Sequence, residues 1–139
     1  MRLNDWEQRL DQAIRAGALR PFAWGEHDCA TFVRECVLAV RGVDIGTWGR
    51  YRTERGALRV IAGKTGRIAT VADQILCDAG CRPVMPHRAG RGDIVLFGAS
   101  IAFGGILGVV DLTGRRVVAP GPDGLLSAAP ATALRAWRV

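Results

Sequence analysis

Residues 22–33 read FAWGEHDCATFV, and this stretch decides how the chain is interpreted. Asp28 is a favourable N-cap residue, and from Cys29 onward apolar side chains recur at the spacing of one helix face as far as Gly42. The pattern predicts an amphipathic helix with Cys29 in its first turn. Residues 21–26 are predicted to form the loop that leads into it.

The predicted position of Cys29 has a chemical consequence. A helix N-terminus carries partial positive charge and free backbone N–H groups, which favour a thiolate over a thiol and can bind an oxyanion. A neighbouring imidazole would complete a Cys–His pair of the kind that performs acyl transfer. Cys29 is therefore the candidate nucleophile, and Asp28 is interpreted as a cap first and a catalytic candidate second.

The first half of the chain is predicted to be helical. Besides the helix that starts at Cys29, helical spacing predicts three further helices, over residues 6–17, 54–62 and 70–79. Gly17 is expected to end the first of them, and Thr70 is expected to cap the last. A turn is predicted at residues 63–66.

The second half is predicted to consist of strands, because short β-branched and apolar runs alternate there with Gly-containing turns. The predicted strands cover residues 93–97, 106–112, 116–119, 125–127 and 134–139. Helices followed by an antiparallel sheet are typical of the α+β class. The expected fold is a single domain over residues 1–139, in which N-terminal helices pack on a four- to six-stranded antiparallel sheet.

Two motifs resemble the NlpC-type cysteine peptidases, which have a compact papain-like fold. Residues 24–33 are similar to the family's nucleophile motif, in which a Trp-Gly or Tyr-Gly element precedes an Asp-Cys helix start. Residues 91–97, RGDIVLF, resemble its Gly-Asp-Leu-Val-Phe-Phe strand, and residues 105–110 resemble the next strand. Residues 121–126 and 134–139 are similar to a divergent group found in phage and prophage tail-gene clusters. The resemblance implies a small component of the tail tip.

The chain departs from this family at the catalytic base. Active members carry a catalytic His at the start of the strand after the Gly-Asp motif, but residues 98–108 contain no His. The orienting polar residue of the following strand is absent from residues 115–119. Ala30 and Thr31 replace the Ser and Gly that follow the family's Cys. The resemblance thus implies a hydrolase scaffold with impaired catalysis.

Two histidines are the candidates for a relocated base. His27 lies two residues before Cys29, where a base role and a loop-fixing hydrogen bond are both open. His87 precedes the Gly-Asp strand and is interpreted as a surface residue. The candidate residues that line a cleft are Trp24, Gly25 and Thr31. Of these, Trp24 is interpreted as a core or cleft-wall residue rather than as a platform for a ligand.

The four cysteines do not form a metal-binding pattern. Six residues separate Cys29 from Cys36 and three separate Cys77 from Cys81, whereas structural zinc sites use CxxC pairs. Cys36 and Cys77 are predicted on apolar helix faces, and Cys81 at a half-buried helix end. No metal, no cofactor and no disulfide framework is expected.

The chain carries 19 basic and 13 acidic residues, a net charge of +6. Its arginines are spread from Arg2 to Arg138, which favours a solvated surface over the clustered stripe of a nucleic-acid-binding protein. Contact with an acidic protein or an anionic wall polymer stays open. No run reaches the roughly 20 apolar residues of a membrane span, and no secretory signal is expected from the first residues.

Two functions are predicted on this basis. The first is a phage or prophage tail-tip protein that is assembled in the host cytoplasm and carried in the virion tail, with the hub and distal tail proteins as partners. The alternative is an active cysteine peptidase or amidase that cleaves peptidoglycan stem peptides, with Cys29 as nucleophile and His27 or His87 as base. A nucleic-acid-binding role would rest on charge alone.

Overall fold

The computed structural model describes residues 1–64, 67–98 and 102–139. These ranges contain four helices and a six-stranded antiparallel sheet, which confirms the α+β class. The helices are α1 (Trp6–Leu19), α2 (Cys29–Arg41), α3 (Glu54–Lys64) and α4 (Ile68–Asp78). The strands are β1 (Arg82–Val84), β2 (Ile94–Phe97), β3 (Ile106–Val110), β4 (Val117–Gly121), β5 (Gly124–Ala128) and β6 (Ala133–Arg138). Short 3₁₀ helices cover Pro86–Arg88 and Pro130–Thr132.

The strand order in the sheet is β1-β6-β2-β3-β4-β5, so the last strand of the chain lies between the first two. The turn at residues 113–114 is predicted to make a hairpin of β3 and β4, which is confirmed, and the turn predicted at residues 121–124 joins β4 to β5 in a second hairpin. Strand β1 is not among the predicted strands. It has three residues and pairs with β6 alone, and such a short run carries no readable alternation.

Both faces of the central strands are buried. Ile94 and Leu96 of β2 belong to the main core, whereas Val95 and Phe97 belong to a second apolar cluster. This division follows from the alternation of side chains along a strand. The main core joins the helices to the sheet.

Helix α2 confirms its prediction in detail. Asp28 is its N-cap, and Gly42 ends it in the left-handed conformation with φ of 72°. Its apolar face is completely buried from Phe32 to Val40, and α2 packs on β3. The start of α2 therefore lies at one end of the main core, against the sheet.

Helix α1 does not end at Gly17, as predicted, but continues to Leu19. Gly17 is instead a close-packing position, because an added Cβ would lie 2.7 Å from the ring of Phe32. Its carbonyl oxygen also contacts Nε2 of His27. The glycine lets α1 approach α2 and the loop before it.

Two predictions about helix α4, the Thr70 cap and the apolar position of Cys77, are wrong. It begins at Ile68, so Thr70 lies inside the helix and does not cap it. Its buried face includes Leu76, and the neighbouring Cys77 points about 100° away around the helix and is exposed. Cys81, predicted to be half-buried, is buried.

The turn predicted at residues 63–66 is wrong in its first half, because α3 continues through Lys64. Residues 65 and 66 lie outside the described residues.

Asp93, of the Gly-Asp motif, holds distant parts of the chain together. Its buried carboxylate accepts hydrogen bonds from Arg2 Nη2 at 2.8 Å, from the Gly90 N–H at 2.9 Å and from the Val139 N–H at 3.2 Å. Arg138 Nε lies 3.4 Å away. A buried carboxylate needs such partners, so this motif residue has a structural role.

Candidate functional site

The loop before α2 turns sharply at Gly25. This residue has φ of +80°, and an added Cβ would overlap the carbonyl oxygen of Tyr51. Its N–H donates a hydrogen bond to Asp28 Oδ2 at 2.9 Å. Backbone hydrogen bonds between Ala23 and His27 close the turn. Only glycine fits here, and the turn delivers the chain into α2 at Asp28.

Asp28 is confirmed as the cap of α2. Its Oδ1 accepts the Thr31 N–H at 2.9 Å, and Thr31 Oγ1 accepts the Asp28 N–H at 2.9 Å, which together form a capping box. Its Oδ2 also accepts the Tyr51 hydroxyl at 2.7 Å. Burial and this hydrogen bond raise the pKa of Tyr51 above its ordinary value, so Tyr51 stays a neutral donor. The Asp28 carboxylate is thus engaged in holding the turn.

Cys29 occupies the first turn of α2, as predicted, but its thiol is not activated. Burial raises the pKa of Cys29 to about 11; a backbone hydrogen bond with Leu107 opposes this rise, and the charge of Asp28 adds to it. The expected low pKa is therefore wrong, because desolvation outweighs the helix terminus. The thiol is therefore protonated at neutral pH.

Cys29 lines a cavity of about 450 Å³ whose wall is mostly apolar. The apolar lining includes Phe22, Trp24, Ile61, Phe103, Ile106 and Leu126. The titratable lining residues within the described ranges are Asp28, Cys29, Tyr51 and Glu54. No imidazole and no cation belongs to the described part of this wall.

Trp24 is a cleft-wall residue, as interpreted from the sequence. Its ring stacks on Phe103 with centroids 5.9 Å apart and meets the edge of Phe22 at 4.9 Å. The other two candidates, Gly25 and Thr31, do not line this cavity and instead shape the cap. The sequence alone cannot assign Gly25 and Thr31 to a cleft, because small residues beside a cysteine can either cap the helix or line a cavity.

His27 is buried between α1 and α2 and does not line the cavity. Its Nε2 donates to the Gly17 carbonyl oxygen at 2.9 Å, and its ring meets the edge of Phe32. Within the part of the chain that the structure describes, its Nδ1 has no hydrogen-bond partner. The loop-fixing interpretation of His27 therefore describes its contacts, and none of them is with Cys29.

The strand that faces Cys29 begins at Ile106. The backbone of the next residue, Leu107, hydrogen-bonds the thiol, and the side chain of Ile106 lines the cavity. His87 lies elsewhere, exposed in the 3₁₀ helix Pro86–Arg88, in agreement with its interpretation as a surface residue. An apolar side chain thus occupies the start of the strand beside the thiol.

A family model described as a domain of unknown function, DUF6950, matches residues 1–139. The chain belongs to the DUF6950 family. The match includes the Gly25 turn, the capped Cys29 and every strand of the sheet, so the cavity is part of the DUF6950 domain. No curated protein matches this chain.

The described residues of this DUF6950 domain hold no group of three His, Cys, Asp or Glu side chains placed to bind a metal ion. All four cysteines are free thiols. Within the same ranges, the helices lack the combination of length and apolar character that crossing a membrane requires.

Tyr51, Phe103 and Ile106 are among the residues of the DUF6950 site that sequence reasoning missed. Tyr51 is the only Tyr of the chain, and 23 positions separate it from Asp28. Phe103 lies in a Gly-rich stretch with no periodicity. Only Ile106 carried a signal, because the start of that strand is where the resemblance implies a catalytic His.

Proposed function

We propose that this chain is a phage or prophage tail-tip component with an NlpC-like fold, whose cleft binds a partner segment during assembly and no longer hydrolyses peptides. The tail context comes from the sequence resemblance. The observation that carries the loss of hydrolysis is that, among the described residues, no imidazole lines the cavity at Cys29.

The arrangement of the elements supports the ancestry in this proposal. Cys29 begins a helix that packs on β3, and the Gly-Asp strand β2 pairs with β3. This is the order of parts that the resemblance implies, with helices first and an antiparallel sheet afterwards. The expected His position corresponds to the start of β3, where Ile106 stands.

The chemistry of the cleft supports impaired catalysis. A general base contributes roughly 10²–10⁴-fold to such reactions, and a thiol must ionise before it attacks. Burial keeps the pKa of Cys29 at about 11. The Nε2–H of His27 donates a hydrogen bond to the Gly17 carbonyl oxygen, and His87 lies at the surface.

The shape of the cleft supports a retained binding role. A volume of about 450 Å³ falls in the range of ligand pockets, and its aromatic wall of Trp24, Phe103 and Phe22 offers rigid apolar contact area. Apolar side chains of an extended partner segment fit such a wall.

Alkylation by iodoacetamide tests the state of the thiol. At pH 8 we expect Cys77, which is exposed, to react at least about tenfold faster than Cys29, because only thiolates react. The rate at Cys29 should rise about tenfold per pH unit from pH 7 to 10 without a plateau, since its pKa is about 11. Peptide mapping by mass spectrometry measures both rates in one sample.

The alternative function, an active peptidoglycan peptidase, makes the opposite prediction. It requires Cys29 to label faster than Cys77, with a labelling rate that reaches its plateau before pH 8. It also requires digestion of cell walls that disappears in Cys29→Ala. The placement of Cys29 in the first turn of a helix favours this alternative. Fast labelling of Cys29 together with wall digestion would refute the loss of hydrolysis.

Binding to purified hub and distal tail proteins from the same gene cluster tests the assembly role. We expect Cys29→Ser to leave binding unchanged, because the thiol performs no chemistry there. Trp24→Ala should weaken binding at least about tenfold, since it removes the largest aromatic side chain of the cleft wall. Calorimetry measures both affinities. A monomeric chain that binds neither protein would contradict the role.

A further inference from the structure

A second groove, of about 350 Å³, lies at the β1 edge of the sheet. It is lined by Arg82, Pro83, Val84, Met85, Arg88 and Arg138. No residue is shared between this groove and the cavity at Cys29. Three guanidinium groups surround an apolar stretch of three residues, and this combination is not explained by the proposed function.

Two of these arginines are cross-strand neighbours in the sheet. Arg82 of β1 stands directly opposite Arg138 of β6 in the antiparallel ladder. Like charges at such positions destabilise a sheet. Arg138 is held in place by a 2.7 Å hydrogen bond from Nη2 to the Arg88 carbonyl oxygen. A bound anion between the two side chains would remove the repulsion.

Two of the three positive charges of this groove are not neutralised within the described residues. No ion pair or side-chain hydrogen bond engages the guanidinium groups of Arg82 and Arg88 there, and both residues are exposed. Asp93 lies 3.4 Å from Arg138, but it is buried and already binds Arg2 at 2.8 Å. The local excess of positive charge is therefore open to a partner.

The apolar part of the groove distinguishes between classes of partner. Met85 is 61% exposed and Val84 is half-buried, so a partner can cover apolar surface beside the charges. Arg and Met are both enriched at protein interfaces. The described lining contains no aromatic side chain on which a base could stack, as proteins that bind single-stranded nucleic acid use.

We propose that this groove binds an acidic segment of a partner protein in which carboxylates alternate with apolar side chains. The carboxylates pair with Arg82 and Arg88, and an apolar side chain covers Met85. The partner is recognised by side chains rather than by adding a strand to the sheet edge, because Pro83 lacks a backbone N–H and β1 has only three residues. The inference does not depend on the proposed function of the Cys29 cavity.

Fluorescence anisotropy with a labelled peptide of alternating Glu and Leu tests this groove. We expect the double variant Arg82→Gln/Arg88→Gln to bind the peptide at least about tenfold more weakly than the natural chain, because two charge-assisted contacts are lost. The matched control, Arg55→Gln/Arg59→Gln, removes the same charge from exposed positions on α3 and should change the affinity less than about twofold.

Two further arms identify the partner class. Met85→Ser should weaken binding of the Glu-Leu peptide but not of hexaglutamate. The affinity for a labelled 20-nucleotide DNA strand should fall equally in both double variants, because non-specific attraction depends on total charge. Equal losses of peptide binding in the two double variants, no peptide binding by the natural chain, or a loss confined to DNA would each overturn the proposal. Circular dichroism checks that each variant is folded.

Discussion

Replacing Ile106 with histidine is expected to raise the alkylation rate of Cys29 about 100-fold at pH 6, where most of an ordinary imidazole is protonated. Ile106 begins the strand beside the thiol and lines the same cavity. An imidazolium within about 4–6 Å lowers a thiol pKa by about 1–3 units, and the starting value of about 11 leaves room for that fall. The measurement is the rate of iodoacetamide labelling, mapped to each cysteine.

Ile106→Asn is the matched control, because it makes the same position polar without adding a titratable group. We expect its labelling rate at Cys29 to stay within a few-fold of the natural chain. If the His and Asn variants label equally slowly, the start of β3 is not where a base would meet the thiol. That outcome would refute the correspondence with the NlpC-type peptidases on which the proposed ancestry rests.

Gly25→Ala is expected to destabilise the fold by about 3 kcal/mol or more. The left-handed backbone costs a non-glycine residue roughly 1–2 kcal/mol, and forced overlap in a packed site adds about 1–3 kcal/mol. The overlap is with the carbonyl oxygen of Tyr51, so the hydroxyl of Tyr51 should also lose its place on Asp28. Thermal unfolding followed by circular dichroism should show a Tm lower by about 10 °C.

Gly46→Ala separates the two causes. Gly46 has the same φ of +80°, but no atom of the described residues lies within 4 Å of an added Cβ. The loss of stability in Gly46→Ala should therefore be limited to the roughly 1–2 kcal/mol cost of the backbone conformation. Similar losses in the two variants would mean that Tyr51 yields to the added methyl group and that the turn is not sterically locked.

The sequence predicts much of the fold because several of its signals are strong and local. The Asp28 cap, the apolar face of α2 and the Gly42 terminus all act within one helix, and each is confirmed. The weaker signals failed where packing overrode them. Gly17 is a contact point with Phe32 rather than a helix end, and Thr70 lies inside α4.

The position of the candidate site was predictable from the sequence, but the protonation state of its thiol was not. The motif places Cys29 at a helix start, and the structure agrees. The pKa of its thiol depends on how deeply neighbouring elements bury it, and no local pattern reports that depth. The hydrogen bond between Tyr51 and Asp28 was not predictable either, because their contact depends on how the loop between α2 and α3 folds.

The amino-acid sequence alone determined the helix that presents Cys29, the Asp28 cap at its start and the turns between the strands, because capping, periodicity and glycine turns act over a few neighbouring residues. Only the tertiary structure decided that β6 lies between β1 and β2, that His27 faces Gly17, and that the thiol is desolvated. These properties arise from contacts between residues far apart in the chain, and burial exists only once the chain is packed.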